Sequence, residues 1–566
     1  MRAPALIAIF LVSTTLYASS GWFPFFSRGE SREALVVGAL IDGGSVILPR
    51  REPTEIPVKP PMFHWLSALA LRAGVRPEEL AIRLPSVLFG AGGVALTAAL
   101  AATYYGPAAG VAAAAVVGSS FEWARMSTQA RVDMTLTFFL VGAVIAWHLG
   151  LRAATNIWAV RLGYLLCAGA VLTKGPVGFV LPLMITAAGV APTGNRKHLR
   201  LLLDAPGILL ALCLCVAWYG LAWSEGGSDF LQVHVFNENL NRFMGRGRVA
   251  HSHGYFYYIP ALAGTFVPWT LILPWAIWSA WSRREPPDRF LLTWIVTVLL
   301  FYTLAAGKRS VYLLPLFPPL AILTGSWLAR SLPHTPTRLA RVTVRIGAAA
   351  LALGAIGIAF GWVESLLGVL RPWMHGNDLL HLPIALEVLD ANGTSISIAL
   401  VTLAGGLLAL SSRRFISTLP RQITILCVLA IVWTLGPAVF GALPIARALT
   451  PRAFADRVRT IVGEEDNLWA CGNTNFAFRY YVRRHLSQWE PHPPSDKREF
   501  VVTPAVDDET ARSYGFTTRL IQDARPGYAQ ILELEEITDR MAGPRELDTD
   551  NAGGPPSRRP RRCPPP

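Results

Sequence analysis

The stretch Val58-Lys59-Pro60-Pro61-Met62-Phe63-His64-Trp65 places a lysine directly before two prolines and an apolar segment. Proline lacks a backbone hydrogen-bond donor and clashes with the preceding helical turn, so Lys59 is predicted to lie in a loop and not inside a transmembrane helix. The acidic run Glu30-Ser31-Arg32-Glu33 precedes it in the same part of the chain.

The segment after the prolines, from Met62 to Leu71, has the spacing of a short amphipathic helix. Phe63 and Leu69 fall on one face, while His64 and Ser67 fall on another. Such a helix is typical of a segment that lies at the bilayer surface. Together with the carboxylates of Glu30 and Glu33 and the ammonium of Lys59, this helix indicates a site that binds an anionic lipid headgroup.

The composition indicates a polytopic membrane protein. The 566 residues are 52% hydrophobic and only 16% charged, which is too apolar for an ordinary soluble enzyme of this size. The net charge of +14, from 51 Lys and Arg against 37 Asp and Glu, is attributed mainly to cytoplasmic loops that follow the positive-inside bias. Because the basic residues are scattered and form no interleaved aromatic patch, nucleic acid is not an expected partner.

Cysteine and histidine give no sign of a metal centre. The six cysteines form no CxxC pair, and the eleven histidines include no HExxH motif. Cysteine is therefore interpreted as small core filler, and no structural metal is predicted.

The predicted fold class is a polytopic α-helical membrane protein with about thirteen transmembrane helices. Residues 4 to 18 are interpreted as an uncleaved first helix, because further apolar segments follow them. The longer of these segments approach the ~20 residues needed to span a bilayer. The later runs are 83–103, 107–120, 132–151, 158–172, 176–192, 202–222, 256–281, 289–306, 310–328, 344–366, 395–411 and 422–444.

Short basic connections, such as 195–200 and 330–345, are assigned to the cytoplasm. The connections that alternate with them are assigned to the outer face, which includes the loop 19–82, the loop 223–255 and the tail after 445. The loop 19–82 breaks the bias because it carries seven basic residues, and phosphate binding at the membrane surface would explain them.

Three regions are predicted. Residues 1–445 form a transmembrane catalytic domain, whose first outer loop, 19–82, contains juxtamembrane helices. Residues 446–540 form a small extracytoplasmic α/β domain, with strands near 468–471, 500–503 and 529–534 and a short helix near 475–484. Residues 541–566 form a Pro/Arg-rich tail that is expected to be disordered.

Two acids are the candidate catalytic residues. Glu30 lies just past the first span, and Asp133 lies at the outer end of the fourth. Glu30 could simply belong to a self-paired surface charge run, and Asp133 could simply be the structural partner of Arg131. Alternatively, acids from two loops on one face could accept a proton from a nucleophile's hydroxyl or hold a divalent cation beside a phosphate. The residues leave this choice open, and no other cofactor is indicated.

Basic residues at three sites are assigned to the same outer face, which favours a phosphate cradle. Lys59 is the first, Lys174 lies in the sharp Lys174-Gly175-Pro176 break between two spans, and Lys308 and Arg309 precede a later span. A snorkelling lysine is the alternative at Lys174.

The outer loop 223–255 and the residues just after it add candidate substrate contacts. These are Glu238, Arg242, His253 and Tyr258. Aromatic residues at a membrane edge commonly form an interfacial belt, although they can equally stack on sugar faces.

As an ordered set, these residues resemble the bacterial aminoarabinose transferase family, a branch of the GT-C glycosyltransferases related to the protein O-mannosyltransferases. The match runs from residue 20 to about 330. Its motifs are Glu30-Ser31-Arg32-Glu33-Ala34, Lys59-Pro60-Pro61 with Trp65, Ala81-Ile82-Arg83-Leu84-Pro85-Ser86, Ala124-Arg125-Met126, Arg131-Val132-Asp133, Lys174-Gly175-Pro176-Val177-Gly178, Glu238 to Phe243, Pro268-Trp269 and Lys308-Arg309 with Tyr312 to Pro315.

The resemblance implies an enzyme of the bacterial inner membrane that takes a sugar from a polyprenyl-phosphate carrier, commonly undecaprenyl phosphate, and inverts the anomeric carbon on the periplasmic side. It implies that Lys59 binds the carrier phosphate, that an acid of the first loop acts at the acceptor, and that Asp133 supports the site. Arg131 is a further candidate for binding the donor phosphate. The chain departs from the family in having Gly29-Glu30 where Asp-Glu is usual and Val58 before Lys59 where Glu is frequent.

The predicted function is therefore an inverting membrane glycosyltransferase with a lipid, glycan or protein acceptor. Two alternatives are a polyprenyl-linked lipid transporter or flippase and an inactive homologue that binds the carrier. A transporter would place ionisable residues near the bilayer midplane and show repeated halves, and the sequence has neither feature. The departures at Gly29 and Val58 leave the sugar and the acceptor open.

Overall fold

A computed structural model of the protein describes most of the chain. The described residues are 1–51, 55–152, 156–190, 199–241, 244, 253–331, 338–362, 365, 386, 391, 393–394, 396–398, 400–406, 408, 419–437, 443–470, 475–484, 486–488, 498–504, 516–523 and 532–540. They form two compact units. The first comprises Met1–Trp22, Val36–Val363 and Asn392–Ala442, and the second comprises Phe23–Leu35, Glu364–Ala391 and Leu443–Pro566.

The first unit is helical. The α-helices are α1 (Ala3–Ala18), α2 (Arg28–Ile41), α3 (Met62–Arg72), α4 (Glu78–Tyr105), α5 (Pro107–Ser119), α6 (Phe121–Ser127), α7 (Val132–Arg152), α8 (Ile157–Lys174), α9 (Val177–Val190), α10 (Ala205–Phe230), α11 (Tyr258–Thr265), α12 (Leu273–Arg283), α13 (Pro286–Leu304), α14 (Phe317–Ser331), α15 (Arg338–Ala359) and α16 (Leu419–Pro437). Helix α2 includes residues of both units. A π-helix, Leu231–Asn241, continues α10, and a 3₁₀ turn, Ser310–Leu316, precedes α14.

Seven helical segments within the described residues are long and apolar enough to cross a membrane. They are Ala3–Trp22, Glu78–Tyr105, Val132–Arg152, Ile157–Lys174, Ala205–Glu238, Pro286–Leu304 and Ser310–Ser331. Helices α5 and α9 are apolar but shorter, with 13 and 14 residues. The total of about thirteen stays a prediction.

The apolar run 256–281 does not form the single helix that its hydropathy predicts. It contains the 3₁₀ turn Tyr255–Tyr257, the short helix α11, a second 3₁₀ turn at Trp269–Leu271, and α12. Pro268 lies between the two α-helices and Pro274 lies in the first turn of α12. Since proline has no backbone N–H, it does not continue an α-helical ladder.

Helix α3 forms where it is predicted, but its two faces are not divided as predicted. Phe63, His64 and Ser67 are all buried, whereas Leu69 is 64% exposed. The Ser67 hydroxyl donates a hydrogen bond to the carbonyl of Ile82 in α4 at 2.9 Å. The buried face of α3 therefore includes polar side chains, and Leu69 faces away from it.

Small residues let the helices of the first unit approach closely. A Cβ on Gly325 in α14 would lie 2.5 Å from the backbone nitrogen of Ala113 in α5. The large buried side chains Trp123, Trp294 and Phe317 belong to the hydrophobic core that these helices share. The outcome is a rigid helical support for the loops at its ends.

The second unit contains a five-stranded sheet. Its strands are β1 (Asn467–Ala470), β2 (Ser487–Gln488), β3 (Glu499–Pro504), β4 (Phe516–Asp523) and β5 (Leu532–Arg540), in the order β2-β1-β3-β5-β4. Strand β1 pairs in parallel with β2 and β3, and β5 pairs antiparallel with β3 and β4.

Three of these strands overlap the predicted ones, whereas β2 and β4 were not predicted. The second unit also contains helices α17 (Leu443–Leu449), α18 (Arg452–Ile461) and α19 (Phe476–Val482), the last within the predicted range. The predicted tail 541–566 lies outside the described residues.

Candidate active site

A largely buried ion pair joins two helix ends of the first unit. Asp133 is in the first turn of α7 and Lys174 is the last residue of α8. The Lys174 Nζ lies 2.5 Å from Asp133 Oδ1, with 7% of the Asp133 side chain and 22% of the Lys174 side chain exposed. Because α7 and α8 are consecutive antiparallel helices, the start of one and the end of the other meet at the same end of the pair.

Two further cations surround the same carboxylate. Arg131 Nε lies 3.6 Å from Asp133 Oδ2. Lys59 lies close enough to act electrostatically on Asp133. The Ser86 hydroxyl donates a hydrogen bond to the Arg131 carbonyl at 3.1 Å, which fixes the backbone that carries the arginine. Three cations from different segments therefore converge on one acid.

Aromatic rings connect this cluster to the turn that follows Lys308. The Lys174 Nζ lies 4.8 Å from the centroid of the Tyr312 ring, a cation–π contact. Tyr312 stacks on Tyr302 with ring centroids 5.2 Å apart, and its backbone N–H donates to the carbonyl of Arg309 at 3.1 Å. The turn is thereby held against the end of α8.

Lys308 itself has a different environment from the other three cations. It is 4% exposed, its ammonium donates to the Ala305 carbonyl at 2.8 Å, and its Nζ lies 5.6 Å from the Tyr255 ring centroid. Arg309 is half-buried. The structure thus brings Lys59, Arg131 and Lys174 to Asp133, and brings Lys308 to the aromatic edge of a cavity.

Two cavities share Tyr255. The second, of about 660 Å³, has a mixed polar lining that includes Lys308 and His253. The first, of about 820 Å³, has an almost wholly apolar lining. The residues around the first cavity are Tyr255, Tyr258, Ile259, Leu262, Ala263, Thr270, Leu273, Pro274, Ile277, Trp278, Trp281, Leu299 and Thr303.

The other candidate acid, Glu30, lies in the second unit, in the first turn of α2. It is 1% exposed. The Ser27 hydroxyl accepts a hydrogen bond from the Glu30 backbone N–H at 3.3 Å and donates one to Glu30 Oε2 at 3.4 Å. Its neighbour Glu33 pairs with Arg32 at 3.0 Å. The acidic run is therefore helical and buried, and it is not an exposed loop.

The predicted substrate residues are dispersed. Glu238 is half-buried in the π-helix, His253 is exposed and stacks on Tyr257 with ring centroids 4.3 Å apart, and Tyr258 is buried at the start of α11. Arg242 lies outside the described residues. Of these candidates, His253 lines the second cavity and Tyr258 lines the first.

Among the buried polar residues that sequence reasoning missed, two hydrogen-bond to segments that carry candidate cations. Glu122, which is 1% exposed, accepts hydrogen bonds from Arg125 at 2.7 and 2.9 Å and one from the Ser310 hydroxyl at 3.4 Å. His234, also 1% exposed, lies in the π-helix. The i, i+3 spacing of Glu122 and Arg125 was a signal for the first, and nothing in the local sequence singled out the second.

No cluster of three or more His, Cys, Asp or Glu that could hold a metal occurs in the part of the chain that is described.

Comparison with known proteins identifies relatives of the chain. Residues 58–221 match the family model described as dolichyl-phosphate-mannose-protein mannosyltransferase. The undecaprenyl phosphate-alpha-4-amino-4-deoxy-L-arabinose arabinosyl transferase of Pseudomonas paraeruginosa is 31% identical over 345 residues, covering 59% of this chain and 61% of the relative. The protein of the same name from Pectobacterium carotovorum is 28% identical over 388 residues, covering 66% and 67%. The chain thus matches about three fifths of the length of the first of these relatives.

The fold has a solved counterpart. The crystal structure of ArnT from Cupriavidus metallidurans bound to undecaprenyl phosphate superposes with a TM-score of 0.76 at 19% sequence identity, covering 94% of this chain and 98% of that one. The predicted resemblance and the GT-C polytopic membrane fold are therefore confirmed.

Proposed function

We propose that this multi-pass membrane protein is an inverting glycosyltransferase that uses a polyprenyl-phosphate sugar as donor. The observation that carries the proposal is the convergence of Lys59, Arg131 and Lys174 on Asp133. Three formal positive charges against one negative charge leave an excess of two. A phosphodiester donor carries one negative charge, and the phosphate monoester that leaves carries up to two, so the cluster stabilises the departing phosphate more than the bound donor.

The first cavity supports a lipid-linked donor. Its volume of about 820 Å³ and its apolar lining suit several prenyl units, whose burial is favourable in proportion to the area removed from water. Tyr258 lines this cavity and belongs to the hydrophobic core against which Tyr312 packs, and Tyr312 contacts Lys174. The apolar cavity and the cationic cluster therefore border the same hydrophobic core.

The proposed reaction is a single displacement at the anomeric carbon. The acceptor hydroxyl oxygen forms the new bond to that carbon from the face opposite the phosphate, and the bond from carbon to phosphate oxygen breaks. The electron pair of the broken bond goes to the phosphate, and the hydroxyl proton goes to a carboxylate. Glu30 is the proposed proton acceptor, because the chain has glycine at position 29, where the family usually has the first of its two acids.

We assign the reaction to the periplasmic side of the bacterial inner membrane, with the second unit also outside the cytoplasm. The alternation of basic connections along the chain supports this orientation. The acceptor is a lipid, a glycan or a protein. Two relatives are named for transfer of 4-amino-4-deoxy-L-arabinose, which makes that pentose the first donor sugar to test.

The test is sugar transfer in nanodiscs, from radiolabelled undecaprenyl-phosphate sugars to a membrane lipid extract. Lys59→Ala should lower the transfer rate by about 100-fold, the effect of removing one preorganised charge from a transition state. Glu30→Gln should lower it by about 100-fold or more, because a proton acceptor is lost. Arg289→Ala is the charge-matched control, since Arg289 is exposed on α13, and it should transfer at the wild-type rate.

Each outcome separates the alternatives. Unchanged transfer in Lys59→Ala would show that this lysine does not serve the phosphate. Saturable carrier binding by the wild type with no transfer from any donor would identify a carrier-binding or transport protein instead of an enzyme.

A further inference from the structure

The loop that carries Lys59 rests on an aromatic surface formed by α10 and the π-helix that follows it. Ile56 and Met62, on either side of Lys59, both pack against the cluster that contains Trp218 and Phe230. The Trp218 indole donates a hydrogen bond to the carbonyl of Ile47 at 3.0 Å, which holds an earlier part of the same segment. The lysine is thus presented from a segment anchored at several points.

His234 supplies a polar anchor at the position nearest Lys59. Its Nδ1 lies 3.3 Å from the carbonyl oxygen of Pro57, two residues before the lysine. A carbonyl only accepts, so Nδ1 must carry the proton. The imidazole stacks on Phe230 with ring centroids 5.0 Å apart, and it makes T-shaped contacts with Trp218 and Tyr219, whose ring centroids each lie 5.7 Å from its own. This packing fixes the ring plane and therefore the direction of the N–H.

We infer that His234 is a positioning residue that sets the backbone ahead of Lys59, so that the ammonium meets the carrier phosphate at the Asp133 cluster. The inference rests on the proposed function for the identity of the ligand. The prolines at 60 and 61 restrict the chain after the lysine, and His234 restricts it before the lysine. A lysine side chain has four rotatable bonds, so a fixed backbone is what limits the volume its charge explores.

Two substitutions separate the hydrogen bond from the packing. His234→Phe keeps an aromatic ring against Phe230 but removes the donor. His234→Asn places an amide N–H at the branch corresponding to Nδ1 and keeps the donor without the ring. Tyr219→Phe is the matched control within the same aromatic surface, because it removes a polar atom and leaves the ring.

The first measurement does not depend on enzymatic activity. The rate at which a water-soluble active ester acetylates Lys59 is followed by peptide mass spectrometry in nanodiscs. His234→Phe should raise this rate about fivefold, the factor expected for one lost hydrogen bond, while His234→Asn and Tyr219→Phe should stay near the wild-type rate. An unchanged rate in His234→Phe would overturn the inference, whatever the protein transfers.

The second measurement is kinetic, with the polyprenyl-phosphate sugar as the varied substrate. His234→Phe should raise KM about fivefold with a much smaller change in kcat, and His234→Asn should restore KM. Equal KM values with a lowered unfolding temperature in both variants would indicate a purely structural residue and contradict the inference. A wild type that binds no polyprenyl phosphate, together with faster acetylation in His234→Phe, would refute the proposed function and retain the anchoring of the loop.

Discussion

The ion pair between Asp133 and Lys174 should dominate the local stability of the site, and a double-mutant cycle measures it. At the observed 2.5 Å, two unit charges attract by roughly 6 to 7 kcal/mol at an effective dielectric constant of about 20. Desolvation of both groups offsets a large part of this, so the net coupling energy expected is about 2 to 3 kcal/mol.

The single substitutions are not equivalent. In Lys174→Met, Asp133 keeps Arg131 at 3.6 Å, so the loss in free energy of unfolding should be about 2 kcal/mol. In Asp133→Asn, three cations remain around a neutral amide, and the loss should be larger, about 3 to 5 kcal/mol. The double variant should lose less than the sum of the two.

The assay is reversible unfolding in mixed micelles of dodecyl maltoside and SDS, with Lys174→Arg as the control that keeps the charge. Lys174→Arg should retain most of the stability that Lys174→Met loses. A coupling energy below about 0.5 kcal/mol, the range of exposed pairs, would refute the view that this is a buried and energetically significant pair.

Three further predictions concern the stability of the first unit. Asp288→Ala should cost about 3 to 5 kcal/mol in micelle unfolding, because the fully buried carboxylate pairs with Arg283 at 2.7 Å, while Arg289→Gln beside it should be neutral. Gly178→Ala should lower the unfolding midpoint by the equivalent of about 1 to 3 kcal/mol, because a Cβ there would lie 2.4 Å from a backbone carbon of α8. Asp204→Ala should cost about 1 to 2 kcal/mol, since Asp204 caps α10 through the N–H of Gly207.

The last of these variants has a pH signature. The hydrogen bond from Arg161, together with the N–H of Gly207, holds the pKa of Asp204 below its usual value. Because the pKa is lower in the folded protein than in the unfolded chain, the ionised Asp204 stabilises the folded state. This stabilisation is fully present above the pKa of an aspartate in the unfolded chain, about pH 4, and it is lost as the pH falls below that value. The difference between wild type and Asp204→Ala should therefore shrink on acidification, and a difference that grew toward low pH would contradict the assignment.

The position of the ion pair could be predicted from the sequence, but its existence could not. Hydropathy places the start of α7 and the end of α8 at the same membrane face, and that was sufficient to group Asp133 with Lys174. Whether the two side chains touch depends on the rotation and separation of the two helices. These are set by small residues such as Gly142 and Gly163, which pack against Leu166 and Trp147.

His234 shows a different limit. An isolated histidine in an apolar stretch gives no periodic or motif signal, and its partner is a backbone carbonyl 177 positions earlier in the chain. A contact with a main-chain atom also leaves no complementary side chain to search for. Long-range contacts of this kind are decided by tertiary packing, so only a structure brings them into view.

The interrupted run 256–281 connects the failure of a sequence prediction to function. A hydropathy window counts apolar residues and does not detect where the helical hydrogen-bond pattern is interrupted. It therefore predicts one helix across a region where proline separates two helices, α11 and α12. Most of the residues that line the first cavity belong to this interrupted segment. Non-helical backbone at membrane depth is tolerated where it is buried in protein or lines a cavity, and that is where this segment lies. The irregularity that the hydropathy prediction misses therefore lies in the wall of the first cavity, which is the space that the proposed function assigns to the prenyl chain of the donor.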